Sequence, residues 1–565
     1  MITPFDKNHK YDLIIIGSGA AGLTAALVAS IQGCNVLVVE KSNVIGGTTA
    51  RSSGTVWIPN NSLQQTFGFE DSKAKAMSYL DSLVGEKADK LLRESFIDHA
   101  PIMIDYLIKN TAMKFKPYVS SPDYRQDHPG AASGGRPLEP QPFDGRLLGS
   151  MFKIIASPLE VLMLFGGMMI TRMEAAAIIK FNLTSFKVGA KLMARYLLDR
   201  LKHHRGTRLV LGNALVGALL KELTTRKVCF LLEVDTKKLL MNESGDVFGI
   251  QVVMNSENIN ISATNGVVLA GGGFPSNHQK YQEFLPRPTP LYSPAFEGCQ
   301  GETIDLGLAV GGVLGKSGLD NTLWFPSSVL YKNNGDVLVY PHIVLDRSKP
   351  GLIAVNSDGS RFVNEAVSYH EFVRAMYRTN AHTASIPSIL ICAKGFIWKY
   401  GFGLIRPRTI SLSKYIKQGY LYEANSIEEL AKKVGVNPMN LSHTIHKFNS
   451  DVTTGHDSDF AKGENVYDRS NGDPNHYPNP CLGSINGPPY YAIKVYPTPL
   501  GTSRGLVSNE YAQVVNSRGI PITGLYVCGN DMQSVMGGEY PGAGAQIGIA
   551  MTFGYLAARH SSGSM

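Results

Sequence analysis

The stretch from Tyr11 to Glu40 constrains the fold more than any other part of the sequence. Tyr11 to Gly17 (YDLIIIG) is short, β-branched and apolar on both faces, as a strand buried inside a parallel sheet has to be. Ala20 to Gln32 carries a helix pattern that Gly33 stops, and Asn35 to Glu40 (NVLVVE) is a second buried strand. Between the first strand and the helix lies GSGAAG, with Gly17, Gly19 and Gly22 spaced for a tight turn, a close approach of backbone to pyrophosphate and close helix–sheet packing. Glu40 ends the second strand, where a carboxylate accepts hydrogen bonds from ribose hydroxyls. Together these elements predict a dinucleotide-binding βαβ unit.

The motif alone does not separate a nicotinamide from a flavin; the residues after it do. Gly46 and Gly47, followed by Thr48, Thr49, Ala50, Arg51 and Ser53, supply a second glycine turn and a run of hydroxyls suited to the ribityl and pyrophosphate of FAD. Near the other end, GLYVCGN (Gly524 to Asn530) reads as one more buried strand, and GAGAQIG (Gly542 to Gly548) opens a helix running through Ala558. The partial positive charge of that helix N-terminus suits the edge of an anionic reduced flavin. The expected contacts of non-covalent FAD are Gly17, Ser18, Gly19, Ala20, Ala21, Gly22, Glu40 and Lys41 at the first turn. Gly46, Gly47, Thr48, Thr49, Ala50, Ser53 and Gly54 follow at the second. Val234, Ala270, Gly271, Gly272, Gly529, Asn530, Asp531, Gly544, Ala545 and Ile547 complete the set.

Leu231 to Leu240, Val247 to Val253 and Gly266 to Phe274 read as further strands, so the sheet receives strands from both ends of the chain. The expected fold class is α/β: a Rossmann-like FAD-binding domain of the GR2 flavoprotein type with an inserted α+β catalytic cap. The FAD domain takes residues 1–325 and 500–565, and the cap 326–499. Two domains suit 565 residues, and a net charge of +8 on dispersed basic residues argues against a nucleic-acid partner. The six cysteines show no metal-ligand spacing and read as free thiols; with no apolar stretch before Tyr11, a cytoplasmic protein is expected.

Residues 148–205 form an apolar, helical insertion. Val161 to Ile170 (VLMLFGGMMI) is uncharged but half a bilayer long. Lys180, Lys187, Lys191, Arg195, Arg200, Lys202 and Arg205 follow among apolar residues. A buried helix pair beside a greasy substrate and a helix lying on an anionic membrane both fit this pattern.

GSGAAGLTAAL, VVEK, GGTTARSSGTVWIPNN, GGRP, PFD, GLYVCGN and EYPGAGAQIGIAMTFGYLAA together resemble the FAD-dependent 3-ketosteroid Δ1-dehydrogenases, within the wider group of fumarate reductase flavoproteins. The resemblance implies desaturation of ring A of 3-oxosteroids between C1 and C2, with electrons passing on to an acceptor such as a quinone. It implies that Tyr540 and the backbone of Gly544 hold the C3 carbonyl oxygen. Tyr369, just after RFVNE, would be the base, and Tyr124, before GGRP, its hydrogen-bonding partner. Tyr118 lies close to Tyr124 in sequence, and His370 or Tyr377 could replace Tyr369. Ser503 and Arg504 stand where a more compact turn is expected.

The chemistry asks for such a set. A proton next to a ketone becomes acidic only when the carbonyl oxygen is stabilised, and a phenol with an ordinary pKa near 10 is a weak base at neutral pH, so a pH optimum above neutrality is expected. The rivals are a fumarate-type reductase, for which Arg361, Arg374, Arg378 and His370 could clamp a dicarboxylate; a C4–C5 desaturase; and a membrane-surface carrier or electron-transfer protein. The long apolar insertion suits a bulky, sterol-derived enone.

Overall fold

A computed structural model describes residues 5–6, 9–179, 183–318, 320–343 and 346–564. Lys180 of the expected basic stretch lies outside the described residues.

The FAD-binding half is built on a six-stranded sheet. Leu13–Ile16 pairs in parallel with Val36–Glu40 on one side and Val267–Leu269 on the other. Cys229–Leu232 extends the sheet beyond Val36–Glu40, and Pro521–Val527 extends it beyond Val267–Leu269, both in parallel. A short antiparallel strand, Gln513–Val515, closes that edge. The sheet is thus laid down by segments hundreds of residues apart, and its central strands are apolar because helices cover both faces. The helix Ala20–Ile31 is buried along most of its length and packs beside the C-terminal helix Ala545–Ser561. Gly554 permits the approach: a Cβ there would stand 2.6 Å from the Ala21 carbonyl oxygen.

Leu231 to Leu240 is not one strand. Cys229–Leu232 belongs to the parallel sheet, whereas Asp235–Met241 joins a three-stranded antiparallel sheet with Val247–Met254 and Glu257–Ser262. Glu233 makes the break with a left-handed backbone (φ 58°), and the N–H of Val234 returns to the Glu40 carbonyl oxygen. Nor does the strand predicted over Gly266 to Phe274 continue past Leu269. Its glycines leave the sheet, and Asp531 takes up their N–H groups, at 2.5 Å from Gly271 and 2.8 Å from Gly273.

The second large sheet is antiparallel. Thr322–Tyr331 and Tyr490–Thr502 pair along its centre, flanked by Val337–Pro341, Ser388–Ala393 and Leu352–Val355. Its two central strands straddle the expected junctions at 325 and 500 and carry the chain across from one half to the other. The helix Tyr369–Asn380 packs against Thr322–Tyr331.

The apolar run Val161 to Ile170 does not form a helix. A single 3₁₀ turn, Glu160–Leu162, is followed by a tight reversal in which Leu164 pairs with Met168, because Phe165 and Gly166 both adopt positive φ. Helices Arg172–Ile179 and Leu183–Arg200 come after it. Among the described residues no helix is long and apolar enough to cross a membrane.

Candidate active site

The dinucleotide turn has the geometry its glycines demand. Gly17 is at φ +105°, and a Cβ there would collide with the Ala270 carbonyl; one on Gly22 would collide with the Gly17 carbonyl. At Gly19, by contrast, the nearest atom to a Cβ would be Thr49 Oγ1 at 3.8 Å, which leaves room for a phosphate. The Ala20 N–H donates to Thr49 Oγ1 at 3.0 Å, tying the two glycine turns together. Glu40 accepts from the Ser18 hydroxyl (2.6 Å) and from the N–H groups of Ser18 (3.0 Å) and Ser42 (2.9 Å). Burial pushes the Glu40 carboxyl up, and these donors oppose the shift. Gly46 and Gly47 both have positive φ and open the short helix Gly47–Arg51; its Ala50 is buried, and Thr48 Oγ1 accepts from the Phe296 N–H at 3.0 Å. Lys41 is ion-paired with Glu302 at the surface, and Val234 spends its N–H on Glu40.

The last helix begins at Ala545 and is capped by Gly544 in the left-handed region (φ +88°), where a Cβ would strike the Thr55 carbonyl. The Gly544 carbonyl accepts from the Trp57 N–H at 3.1 Å, and Ser53 Oγ donates to Thr55 Oγ1 at 3.0 Å. This seats the segment that bears Ser53 and Gly54 against the start of the last helix. Ile547 lies in that helix's first turn, and Asn530 Oδ1 accepts from Gln546 at 3.3 Å. Gly529–Asp531 forms a 3₁₀ turn; burial raises the Asp531 carboxyl against the pull of Thr303 and the glycine N–H groups. Ser503 and Arg504 turn toward the 315–320 segment, donating to the carbonyls of Asp320 and Gly315. The glycines, hydroxyls and ribose-side acid therefore fit FAD: close backbone approach where the sheet is tight, open space at Gly19, and a helix first turn whose N–H groups lack intrahelical acceptors.

Tyr124, Tyr369 and Tyr540 come together at the border of the two halves. The Tyr124 hydroxyl donates to Tyr369 Oη at 2.9 Å. Ring centroids are 5.4 Å apart for Tyr124–Tyr369, 5.5 Å for Tyr124–Tyr540 and 5.4 Å for Tyr369–Tyr540. All three are buried. Burial pushes the Tyr540 phenol up to about 12 and those of Tyr369 and Tyr124 well above their ordinary value. Tyr540 is supported on two sides. His370 Nε2 faces the Gly538 carbonyl at 3.0 Å, while its Nδ1 accepts from the Trp324 N–H at 3.2 Å. Arg374 donates to Gly538 O (2.9 Å) and to Glu539 (2.6 Å), and Lys87 donates to the other Glu539 oxygen at 2.7 Å. On the far side of Tyr540, the Pro541 carbonyl accepts from Tyr79 Oη and from the Tyr124 N–H. His370 is thus a neutral support, driven by burial down to about 3.

Sequence reasoning missed Tyr467, whose ring lies 5.0 Å from that of Tyr124, because nothing in VYDRSN marks it. It also missed the buried Asp71–Arg136–Asp123 group beneath Trp57, although Arg136 belongs to the quoted GGRP.

The profile of the family described as "FAD binding domain" matches residues 12–547. The chain is 33% identical over 559 residues to the 4-oxocyclohex-2-ene-1-carboxylate 5-dehydrogenase of Sinomonas cyclohexanicum, covering 98% of this chain and 94% of that one. It is 34% identical over 575 residues to the 3-oxosteroid 1-dehydrogenase of Mycobacterium tuberculosis, with 98% of each chain covered. Its structure matches that of the 3-ketosteroid delta1-dehydrogenase from Sterolibacterium denitrificans in complex with 1,4-androstadiene-3,17-dione. The TM-score is 0.92 at 36% identity, over 98% of this chain and 100% of the other. Fold and site define an FAD-dependent flavoprotein oxidoreductase. Within that class, the chain belongs to the family of the 3-oxosteroid 1-dehydrogenases.

Proposed function

We propose that the protein desaturates ring A of a 3-ketosteroid between C1 and C2. The observation that carries this reading is the contact of three buried tyrosines, one of them beside the left-handed Gly544 turn. Tyr540 donates to the C3 carbonyl oxygen together with the Gly544 N–H, and so stabilises an enolate. Tyr369 takes the C2 proton on its phenol oxygen, and Tyr124, which donates to that oxygen, steadies the phenolate and passes the proton outward. FAD, held by the two glycine turns and the first turn of the last helix, would supply the hydride acceptor for C1, which completes the C1–C2 double bond. The hydrogen-bond donors and the base thus act on one ring.

The cap arginines do not favour a dicarboxylate. Arg361 is already paired with Glu365 and Asp457, and Arg374 with Asp320, Glu371 and Glu539. His370 has both nitrogens engaged by backbone. No arginine of the expected clamp except exposed Arg378 is left to hold a substrate. The deciding experiment is anaerobic addition of androst-4-ene-3,17-dione while the visible flavin absorbance is followed. Bleaching with formation of the 1,4-diene supports the reading. An oxidised flavin that stays unchanged, together with reoxidation of the reduced enzyme by fumarate, overturns it.

The insertion gives this enzyme a membrane-facing surface in our reading. Phe165, Phe186, Leu198 and Leu201 are 65–79% exposed, with Lys187, Lys191, Arg200 and Lys202 exposed among them. Apolar and basic side chains in one exposed segment suit an anionic bilayer, from which a sterol and a quinone acceptor could both be drawn. Flotation with phosphatidylglycerol vesicles tests this: protein that stays at the bottom of the gradient has no such surface.

A further inference from the structure

A cavity of about 270 Å³ opens between the Ser53 segment and the start of the helix Arg172–Ile179. Ser53 lines one side of it, two residues from the Thr55 carbonyl that abuts Gly544. The rest of the wall carries Lys116, Glu139, Arg172, Glu174 and Arg208, three cations against two carboxylates. The carboxylates are already committed. Glu139 lies 3.7 Å from Lys116, and Glu174 pairs with Arg208 at 2.7 Å while its other oxygen accepts the Thr171 N–H.

Arg172 is the cation left over. Among the described residues no carboxylate lies within 4.0 Å of its guanidinium, which instead covers the ring of Tyr118 at 4.7 Å. Its side chain is only partly exposed. Arg208 adds to the imbalance, since its Nη1 is buried with no acceptor. Three buried guanidiniums elsewhere, Arg136, Arg361 and Arg374, are each held by two or more carboxylates, while the buried Arg347 is held by four backbone carbonyls. Tyr118 and the more distant Glu139 favour its charged form, yet neither grips the guanidinium fork of Arg172, and a planar carboxylate is the ligand that satisfies it bidentately.

We propose that the substrate bears a carboxylate remote from its ring ketone, and that Arg172 receives that carboxylate in this cavity while the ketone sits at Tyr540. This inference rests on the ring-ketone reading of the tyrosine site. The carboxylate could be carried on the ketone's own ring or at the end of a steroid side chain; both present the same group to Arg172. The positive charge of Arg172 also reaches Tyr124, where it favours the phenolate. A role confined to the tyrosines would therefore show as a changed pH profile, with no preference for charged substrates.

The test compares each acid with its methyl ester in the FAD-loaded enzyme: 4-oxocyclohexanecarboxylate for the short case and 3-oxochol-4-en-24-oate for the long one. We expect one acid to be preferred over its ester by about 100-fold in kcat/KM, chiefly through KM. Arg172→Gln should bring that ratio close to one, and Arg172→Lys should restore part of it. Which pair shows the preference identifies where the carboxylate is carried. The proposal is overturned if the parent enzyme uses acid and ester alike in both pairs, or if Arg172→Gln shifts the pH profile and slows acids and esters equally. If neither these ketones nor androst-4-ene-3,17-dione bleaches the flavin, the ring-ketone reading itself has failed and the carboxylate assignment falls with it.

Discussion

Tyr540 and Tyr369 are packed against one another, yet the proposed reaction asks opposite things of them. A donor to an oxyanion has to keep its proton whereas a base has to give its own up first, and burial holds both phenols protonated at neutrality, Tyr540 at about 12 and Tyr369 well above its ordinary value. Replacing Tyr540 by Phe removes one of two donors to the carbonyl and should slow flavin reduction by roughly 100- to 1,000-fold, as read by anaerobic stopped-flow absorbance. The pH dependence follows from Tyr369. With its pKa raised, the phenolate is a minor species at neutrality, and each unit of pH multiplies it about tenfold until the pKa is approached. Flavin reduction should therefore accelerate from about pH 6 to 9; a flat profile over that range would remove Tyr369 as the base. The sequence supplied all three tyrosines only by resemblance, because nothing in their spacing says that residues 124, 369 and 540 meet. Tyr467 and Arg172 had no motif to mark them, and their place beside the site comes from packing alone.

At the scale of elements, the helix Tyr369–Asn380 does two jobs. Ser368 caps it, with its Oγ accepting the Glu371 N–H, so that the first residue, Tyr369, points into the tyrosine group. One residue later His370 grips Gly538, and one turn on Arg374 grips Gly538 and Glu539, so the same helix fixes the approach to Tyr540. Arg374→Met leaves Asp320, Glu371 and Glu539 without their shared cation and should cost about 3–5 kcal/mol of stability, seen in urea unfolding. His370 contributes in the acid range. Its folded pKa of about 3 lies below the ordinary value, so the unfolded chain takes up a proton that the folded one refuses. Stability should fall as pH drops below about 6.5, by up to about 1.4 kcal/mol per unit until the folded pKa is reached. His370→Gln, unfolded at pH 5 and at pH 7, should show a smaller difference between the two than the parent does. The amphipathic pattern after Tyr369 was visible in the sequence, but its partner at 538–539 was not, since the contact spans more than 160 residues.

On the scale of the whole molecule, the two ends of the chain make one binding site. The strands nearest the first turn, and the helix Ala20–Ile31, were legible because local periodicity and glycine spacing encode them. The split after Leu232 and the reversal at Phe165 were not, because a left-handed Glu233 or Phe165 carries no signal in composition. The closure of the ends depends on Gly554, whose missing side chain lets the last helix lie on the Ala21 carbonyl at the first turn of the nucleotide helix. Gly554→Leu has to push the two helices apart, which costs about 1–3 kcal/mol as overpacking and moves the peptide groups of Ala20 to Gly22 away from the phosphates. The expected result is a lower Tm together with weaker FAD binding, and a Tm that excess FAD raises again, since a ligand held only by the folded state stabilises in proportion to the logarithm of its concentration over Kd. Gly189→Ala provides the contrast: it is also a helical glycine, but a Cβ there meets nothing within 4 Å, so helix propensity alone should raise stability by about 0.5–1 kcal/mol with FAD affinity unmoved. Thermal unfolding of both variants with and without added FAD separates the cases. If Gly554→Leu binds FAD as tightly as the parent does, the two ends of the chain are not coupled through this contact.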